Sequence, residues 1–244
     1  MTDALRGRVA LVTGAGHRVG RAIAIALAAR GMRVAVHYFA SEDGAAETVR
    51  LAREAGGESW AVRADLRLAA DAERVVRESA AHFGALDVLV NSAAVMLRTP
   101  VAEVTAAQWD EIMAINLRAP FFCARAAALA MGERGGAIVN IADLAGLESW
   151  PEYVPHGISK AGMLQLTRAL ARTLAPRVRV NAVAPGAVLL PESWSAADAE
   201  RLARTTPLGR IGAPEDVARA VCYLLDADYV TGDTLIVDGG RHVR

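Results

Sequence analysis

Lys160 is the sole lysine among 27 basic residues, and asparagine occurs only at positions 91, 116, 140 and 181. A chain this biased towards arginine keeps an ammonium where a slender point charge is needed rather than a planar fork. His156 stands four residues before it, in His156-Gly-Ile-Ser-Lys160. On a helix that spacing puts both side chains on one face, one turn apart. An imidazole titrates near neutral pH and can act as a general acid or base. Asp143, in Ile141-Ala-Asp143, adds a carboxyl group. In an apolar cleft it could stay protonated and donate, or pair with the histidine and hold it charged. Asn116 and Lys160 could anchor a water beside the pair. Asn116, Asp143, His156 and Lys160 are the candidate proton-handling set.

A second group of residues suits phosphate. Gly14, Gly16 and Gly20 fall directly after an apolar run, Val9–Val12, and at the opening of a helical one. Glycines there permit close backbone approach of a nucleotide pyrophosphate, with amide N–H groups and the helix dipole aimed at it. Three glycines alone make only a tight turn; their position in a strand–turn–helix unit is what points to a nucleotide. The next strand ends His37-Tyr38-Phe39-Ala40-Ser41, without the carboxylate that NAD-binding folds usually set against the ribose 2′-hydroxyl. Arg18, His37 and Ser41 together would suit a 2′-phosphate through charge-assisted bonds, so NADP(H) is the expected cofactor. A solvated loop arginine and a half-buried strand histidine are the plainer alternatives.

These residues need a frame. Runs rich in β-branched residues at 9–12, 34–38, 59–64, 88–90, 137–141, 178–183 and 235–237 read as seven strands, nearly all-apolar as strands covered on both faces are. Helical periodicity fills 18–30, 41–55, 69–83, 105–131, 157–174 and 214–226, with Ser41 and Pro214-Glu215-Asp216 as start signals. Strict alternation predicts an α/β fold, a doubly wound parallel sheet with helices on both faces. The stretch 187–207 breaks the rhythm and reads as a substrate-loop insertion in an otherwise single domain, 1–244. With 27 basic and 27 acidic residues and no basic block, nucleic acid is excluded as a partner. Charge-free apolar stretches such as 22–29 fall short of the roughly 18–20 residues of a membrane span. Residues 1–8 look like a polar lead, not a signal peptide. Cys123 and Cys222 form neither a disulfide framework nor a metal pair, and no metal is expected. A soluble, cytoplasmic protein is the expectation.

The ordered set resembles the short-chain dehydrogenase/reductase family over essentially the whole chain. The loop from Thr13 to Gly20, Ala64-Asp65-Leu66, Asn91-Ser-Ala-Ala94, Asn116, Lys160, Pro185-Gly186 and the run from Tyr229 to Gly240 carry the likeness. It implies a Rossmann-type seven-stranded sheet and a homo-oligomer, commonly a tetramer. It also implies a nicotinamide cofactor held by Gly14, His17, Arg18, Val19, Gly20, His37, Tyr38, Ser41, Asp65, Leu66, Asn91, Ala93, Lys160, Pro185 and Gly186. Within the family the chain is similar to pteridine and dihydromonapterin reductases. Arg18 stands where most members have glycine, His37-Tyr38 ends strand two, Asp143 stands where most have serine, and Asp238 to Arg244 completes the likeness. One position departs: the family carries Tyr-x-x-x-Lys, and here His156 replaces the tyrosine. Tyr153, just before Val154-Pro155, is a poor stand-in. The aromatic and serine that pteridine reductases place after strand four are absent from Ala94-Val95-Met96. Met96, Leu147, Trp150, Tyr153, Leu189 and Trp194 could build a mostly apolar substrate wall. The resulting expectation is an NADPH-dependent reductase of a small planar or carbonyl substrate, dihydropteridines first. The alternative is an NADP-binding protein with little activity.

Overall fold

The computed structural model describes residues 4–189 and 195–243. The strands are β1 (Val9–Val12), β2 (Arg33–Tyr38), β3 (Ser59–Arg63), β4 (Val88–Asn91), β5 (Gly136–Ile141), β6 (Val178–Pro185) and β7 (Thr234–Val237). They form one parallel sheet in the order β3-β2-β1-β4-β5-β6-β7. The order reverses between β1 and β4, where Val12 pairs with Val36 on one side and Val90 on the other. In open sheets of this kind ligands bind at the carboxyl ends of the strands, at that reversal.

The seven predicted strands lie where their β-branched runs placed them, because burial on both faces favours those side chains. Along β1 the faces alternate. Ala10 and Val12 join the core under α1 (Arg18–Ala29), α2 (Glu42–Glu54) and α8 (Pro214–Asp226). Val9 and Leu11 join the core under α3 (Ala69–Phe83) and α5 (Ala119–Met131). A smaller cluster of Ala142, Met163, Leu164, Ala182 and Ala184 packs α6 (Val154–Leu174) onto β6.

Three elements differ from their sequence reading. The helix predicted over 105–131 is divided into α4 (Ala106–Met113), a π-turn over Ala114–Arg118, and α5. The widened turn contains Asn116, whose amide reaches outward to backbone instead of packing in the helix; such bulges recur at functional positions. The run Ala106–Arg134 is long and apolar enough to cross a bilayer, but half of its apolar window is buried inside this fold. The lysine helix begins at Val154, ahead of the predicted 157, with Pro155 in its first turn, where a missing N–H costs nothing. Inside the 187–207 insertion a further helix, α7 (Ala196–Arg204), opens on a reciprocal cap: the Asp198 N–H donates to Ser195 Oγ (3.2 Å), and the Ser195 N–H to Asp198 Oδ2 (3.1 Å). Trp194 lies outside the described residues. Cys123 is buried and Cys222 half-buried, both as free thiols.

Candidate active site

The glycine loop joins β1 to α1 at the reversal point. Gly14 has φ +65°, and a Cβ on it would lie 2.7 Å from Ala93 Cα, so only glycine allows this crossing. Thr13 stitches the two sides together: its Oγ1 accepts the N–H groups of Ser92 (2.9 Å) and Ala93 (3.0 Å). Arg21 and Thr48 then fasten the far side of the loop to α2. The Arg21 guanidinium donates to Gly16 O (2.7 Å) and Gly44 O (3.1 Å), and Thr48 Oγ1 to Ala15 O (2.9 Å). The Ala15 and Gly16 carbonyls are thereby engaged, and the first amides of α1 have no acceptor within the helix. His17, at the N-cap position, makes no capping bond to them. Thr13, Arg21 and Thr48 were not singled out by sequence reasoning; Thr13 alone stood inside a quoted motif.

Arg18 has φ +55°, the left-handed value found at no other non-glycine among the described residues. It therefore holds a conformation suited to glycine, at a cost of about 1–2 kcal/mol, while presenting an exposed guanidinium at the loop.

His37 corrects an expectation. Expected to face a 2′-phosphate, its ring is instead a buried brace, 2 % exposed. Its Nδ1 accepts the Gly14 N–H (3.0 Å) and its Nε2 faces Ala64 O at 3.2 Å. A carbonyl only accepts, so Nε2 carries the proton and the ring is neutral. Burial drives its pKa down to about 4. Three more expected cofactor residues point their side chains inward. Asn91 donates to Asn140 Oδ1 (2.9 Å), Leu66 joins the core under α3, and Tyr38 packs against the core under α1. Ser41 stands at the N-cap of α2 without a side-chain capping bond. Asp65 is held by Arg67 (2.7 Å), which holds its carboxyl below the ordinary carboxylate value. Val19 packs partly on the core, Pro185 is buried, and Gly186 abuts Asp238, where a Cβ would meet the Asp238 Cβ at 2.7 Å.

The candidate proton-handling residues converge. Asn116 Oδ1 accepts the Val95 N–H (2.8 Å), while its Nδ2 donates to Val95 O (2.9 Å) and to Ser159 Oγ (3.1 Å). Ser159, also missed from sequence, donates to His156 O (2.6 Å); its place three residues after His156 on the same helix face was the available signal. His156 is 2 % exposed, with Nδ1 3.2 Å from Val95 O and Nε2 3.7 Å from Asp143 Oδ2. Asp143 keeps 24 % of its side chain open, and its Oδ1 accepts the Ala145 N–H (2.8 Å). Lys160 Nζ is buried and donates to Ile141 O (2.8 Å). Burial pulls its pKa down to about 8, against the opposing charge of Asp143.

Of the expected substrate wall, Met96, Leu147 and Leu189 are exposed apolar side chains. Trp150 and Tyr153 meet edge to face at 6.2 Å. Tyr153 is the N-cap residue of α6, with non-helical backbone, and pairs with Thr99 through that backbone. An ion pair between Arg98 and Glu152 ties the same two loops. The free amides of α1, the glycine crossing and a buried ammonium with one carbonyl partner fit a dinucleotide with a ribose hydroxyl near Lys160.

Comparison with known proteins agrees with this architecture. Residues 14–242 match a family model described as enoyl-(acyl carrier protein) reductase. The chain is 38 % identical over 249 residues to a 3beta-hydroxysteroid dehydrogenase 1 of Eggerthella lenta, covering 98 % of this chain and 95 % of that one. It is 37 % identical over 242 residues to a 3-oxoacyl-[acyl-carrier-protein] reductase of Synechocystis, covering 97 % and 98 %. A solved dehydrogenase/reductase from Sinorhizobium meliloti superposes with a TM-score of 0.92 at 36 % identity, covering 98 % of this chain and 97 % of its own. The chain belongs to the short-chain dehydrogenase/reductase family of oxidoreductases.

Proposed function

We propose that this chain is an NADPH-dependent reductase that transfers hydride to a small planar or carbonyl-bearing molecule. The observation that carries the reading is one short segment, 91–95, which serves both halves of the site. Ala93 lies against Gly14 of the phosphate loop, and Val95 is bonded to Asn116 and faces His156. In this reading Gly14, His17, Arg18, Val19, Gly20, Ser41, Asp65, Ala93, Pro185 and Gly186 line the dinucleotide, and Arg18 and Ser41 favour its 2′-phosphate. His37 acts behind the loop, keeping Gly14 in place. When bound, the nicotinamide supplies the hydride. Lys160 would hold its ribose, Asn116 would fix the segment 91–95, and Asp143 with His156 would supply a proton to the substrate heteroatom. A homotetramer is part of the proposal.

Two substrate classes are supported by different observations. The named relatives act on 3-oxoacyl and hydroxysteroid compounds, which favours a carbonyl. Arg18, Asp143 and the chain's ending favour a dihydropteridine. NADPH oxidation measured against 3-oxoacyl thioesters, 3-ketosteroids, quinones and dihydropterins decides between them, after binding is established by nicotinamide fluorescence. A second reading, cofactor binding with negligible turnover, is favoured by the burial of His156, which leaves neither ring nitrogen open to the cleft. Tight NADPH binding without oxidation across the panel is its expected signature.

A further inference from the structure

The hydrogen positions around His156 follow from the partners alone. Asn116 Nδ2 has two protons, and Val95 O and Ser159 Oγ take both. The Asn116 amide cannot be reversed, because the Val95 N–H donates to its oxygen. Asn116 therefore has no proton left for His156 Nδ1, 3.4 Å away. Val95 O, at 3.2 Å from Nδ1, can only accept. Nδ1 carries a proton and donates it to Val95 O.

Nε2 then decides the matter. It is fully buried and has no hydrogen-bond partner, and Asp143 Oδ2 lies 3.7 Å away. Asp143 Oδ1 is already occupied by the Ala145 N–H, so Oδ2 is the free oxygen. Without another proton, the buried Nε2 lone pair would face a carboxylate oxygen with no donor of its own, which is unfavourable for the ring nitrogen. Lys160, on the same helix as His156, is the cation whose charge Asp143 meets; Asn116 and Ser159, on the elements packed around the ring, are neutral.

Resting on the reductase reading, we propose that the Asp143–His156 pair holds one shared proton, carried by Oδ2 in the resting site and facing Nε2 across 3.7 Å, and that Asp143 is the catalytic acid that touches substrate. His156 is a positioning residue, held in one tautomer by Val95 O and acting only through Asp143. The roles differ because Asp143 keeps 24 % of its side chain open and His156 is enclosed. In the step, the substrate carbon takes a hydride from the reduced nicotinamide dinucleotide, which is thereby oxidised. The π pair of the C=O or C=N bond takes the shared proton: an Oδ2–H bond breaks and a bond from hydrogen to the substrate heteroatom forms. Asp143 is left as a carboxylate beside a neutral His156 and regains its proton from solvent through its open face.

The test is nitrogen NMR of the full chain labelled in its histidines, together with steady-state kinetics of Asp143→Asn and His156→Gln. The expected spectrum has a protonated His156 Nδ1 and a Nε2 resonance that moves on Asp143→Asn. A spectrum with Nε2 protonated and Nδ1 bare, or a Nε2 indifferent to Asp143→Asn, overturns the shared proton. Kinetically, Asp143→Asn is expected to lower kcat by at least about 100-fold with NADPH affinity kept within about threefold, and His156→Gln by less. An Asp143→Asn variant with near-normal kcat, or a larger loss from His156→Gln, overturns Asp143 as the acid. The spectrum needs no turnover. A wild-type chain that binds NADPH and reduces nothing sinks the reductase reading and the transfer step, while the spectrum still decides the shared proton.

Discussion

Two histidines, both 2 % exposed, sit on opposite sides of the sheet reversal. His37 has a partner for each nitrogen, the Gly14 N–H and the Ala64 carbonyl, so its ring is a neutral strut. His156 has a carbonyl for Nδ1 and nothing for Nε2 except a carboxylate oxygen beyond hydrogen-bond range. Burial is the same, and the accounts of donors and acceptors differ. A buried imidazole whose bonds close is structure; one whose bonds fail to close by a single proton is a place where a proton can be held and released.

The contrast can be broken most severely at His156. Replacing it with tyrosine puts in a phenol, longer than an imidazole, where the ring is fully enclosed against Asp143. His156→Tyr is expected to lower kcat by about tenfold or more by displacing Asp143, short of the roughly 100- to 10,000-fold scale of general acid catalysis itself. A large gain in an NADPH-oxidation assay would instead mark His156 as a defect and favour the binding-only reading.

Lys160→Met is expected to weaken NADPH binding, read by fluorescence titration, by about tenfold or more for one lost charge-assisted bond. It also tests burial directly. The Lys160 pKa falls from 10.5 to about 8 in the folded chain, so between these values the unfolded chain binds the extra proton. The stability of the cofactor-free wild type should therefore rise with pH across that window, relative to Lys160→Met. Equal slopes in chemical denaturation would mean that the ammonium is better solvated than its surroundings imply.

Arg18→Gly sharpens the loop side of the comparison. Removing the guanidinium is expected to cut the preference for NADPH over NADH by about tenfold. Glycine at φ +55° should at the same time stabilise the chain by about 1 kcal/mol. Loss of preference without gain of stability would mean that the backbone there is not strained.

The smallest effect is expected at the strut. The folded His37 titrates at about 4 and the unfolded one at 6.5, so stability from this group is complete above 6.5 and declines as pH falls towards 4. His37→Gln, able to accept from Gly14 and to donate to Ala64, should flatten that decline while changing NADPH affinity little. Strong loss of affinity at neutral pH would return His37 to the cofactor site.

Much of this was legible in the order of residues. The strands follow from all-apolar β-branched runs, and parallel pairing follows from their alternation with helices. The phosphate loop was legible because Gly14 and Gly20 tolerate contacts no side chain could; a Cβ on Gly20 would run into the Gly14 carbonyl. The lone lysine marked the one buried ammonium. Helix α7 has its signal in Ser195-Ala-Ala-Asp198, a reciprocal cap inside the stretch that reads as a substrate-loop insertion.

What the chain by itself determined is therefore local or periodic: which segments are strands, where glycine is required, and that His156 and Lys160 share a helical face. Only the tertiary structure decided which groups face solvent and which face one another. His37 and His156 look alike in sequence, because nothing local says that one meets an amide and a carbonyl while the other meets a carbonyl and a carboxylate. Those partners come from residues 13 to 61 positions away, and contacts across such separations are fixed by packing, not by spacing.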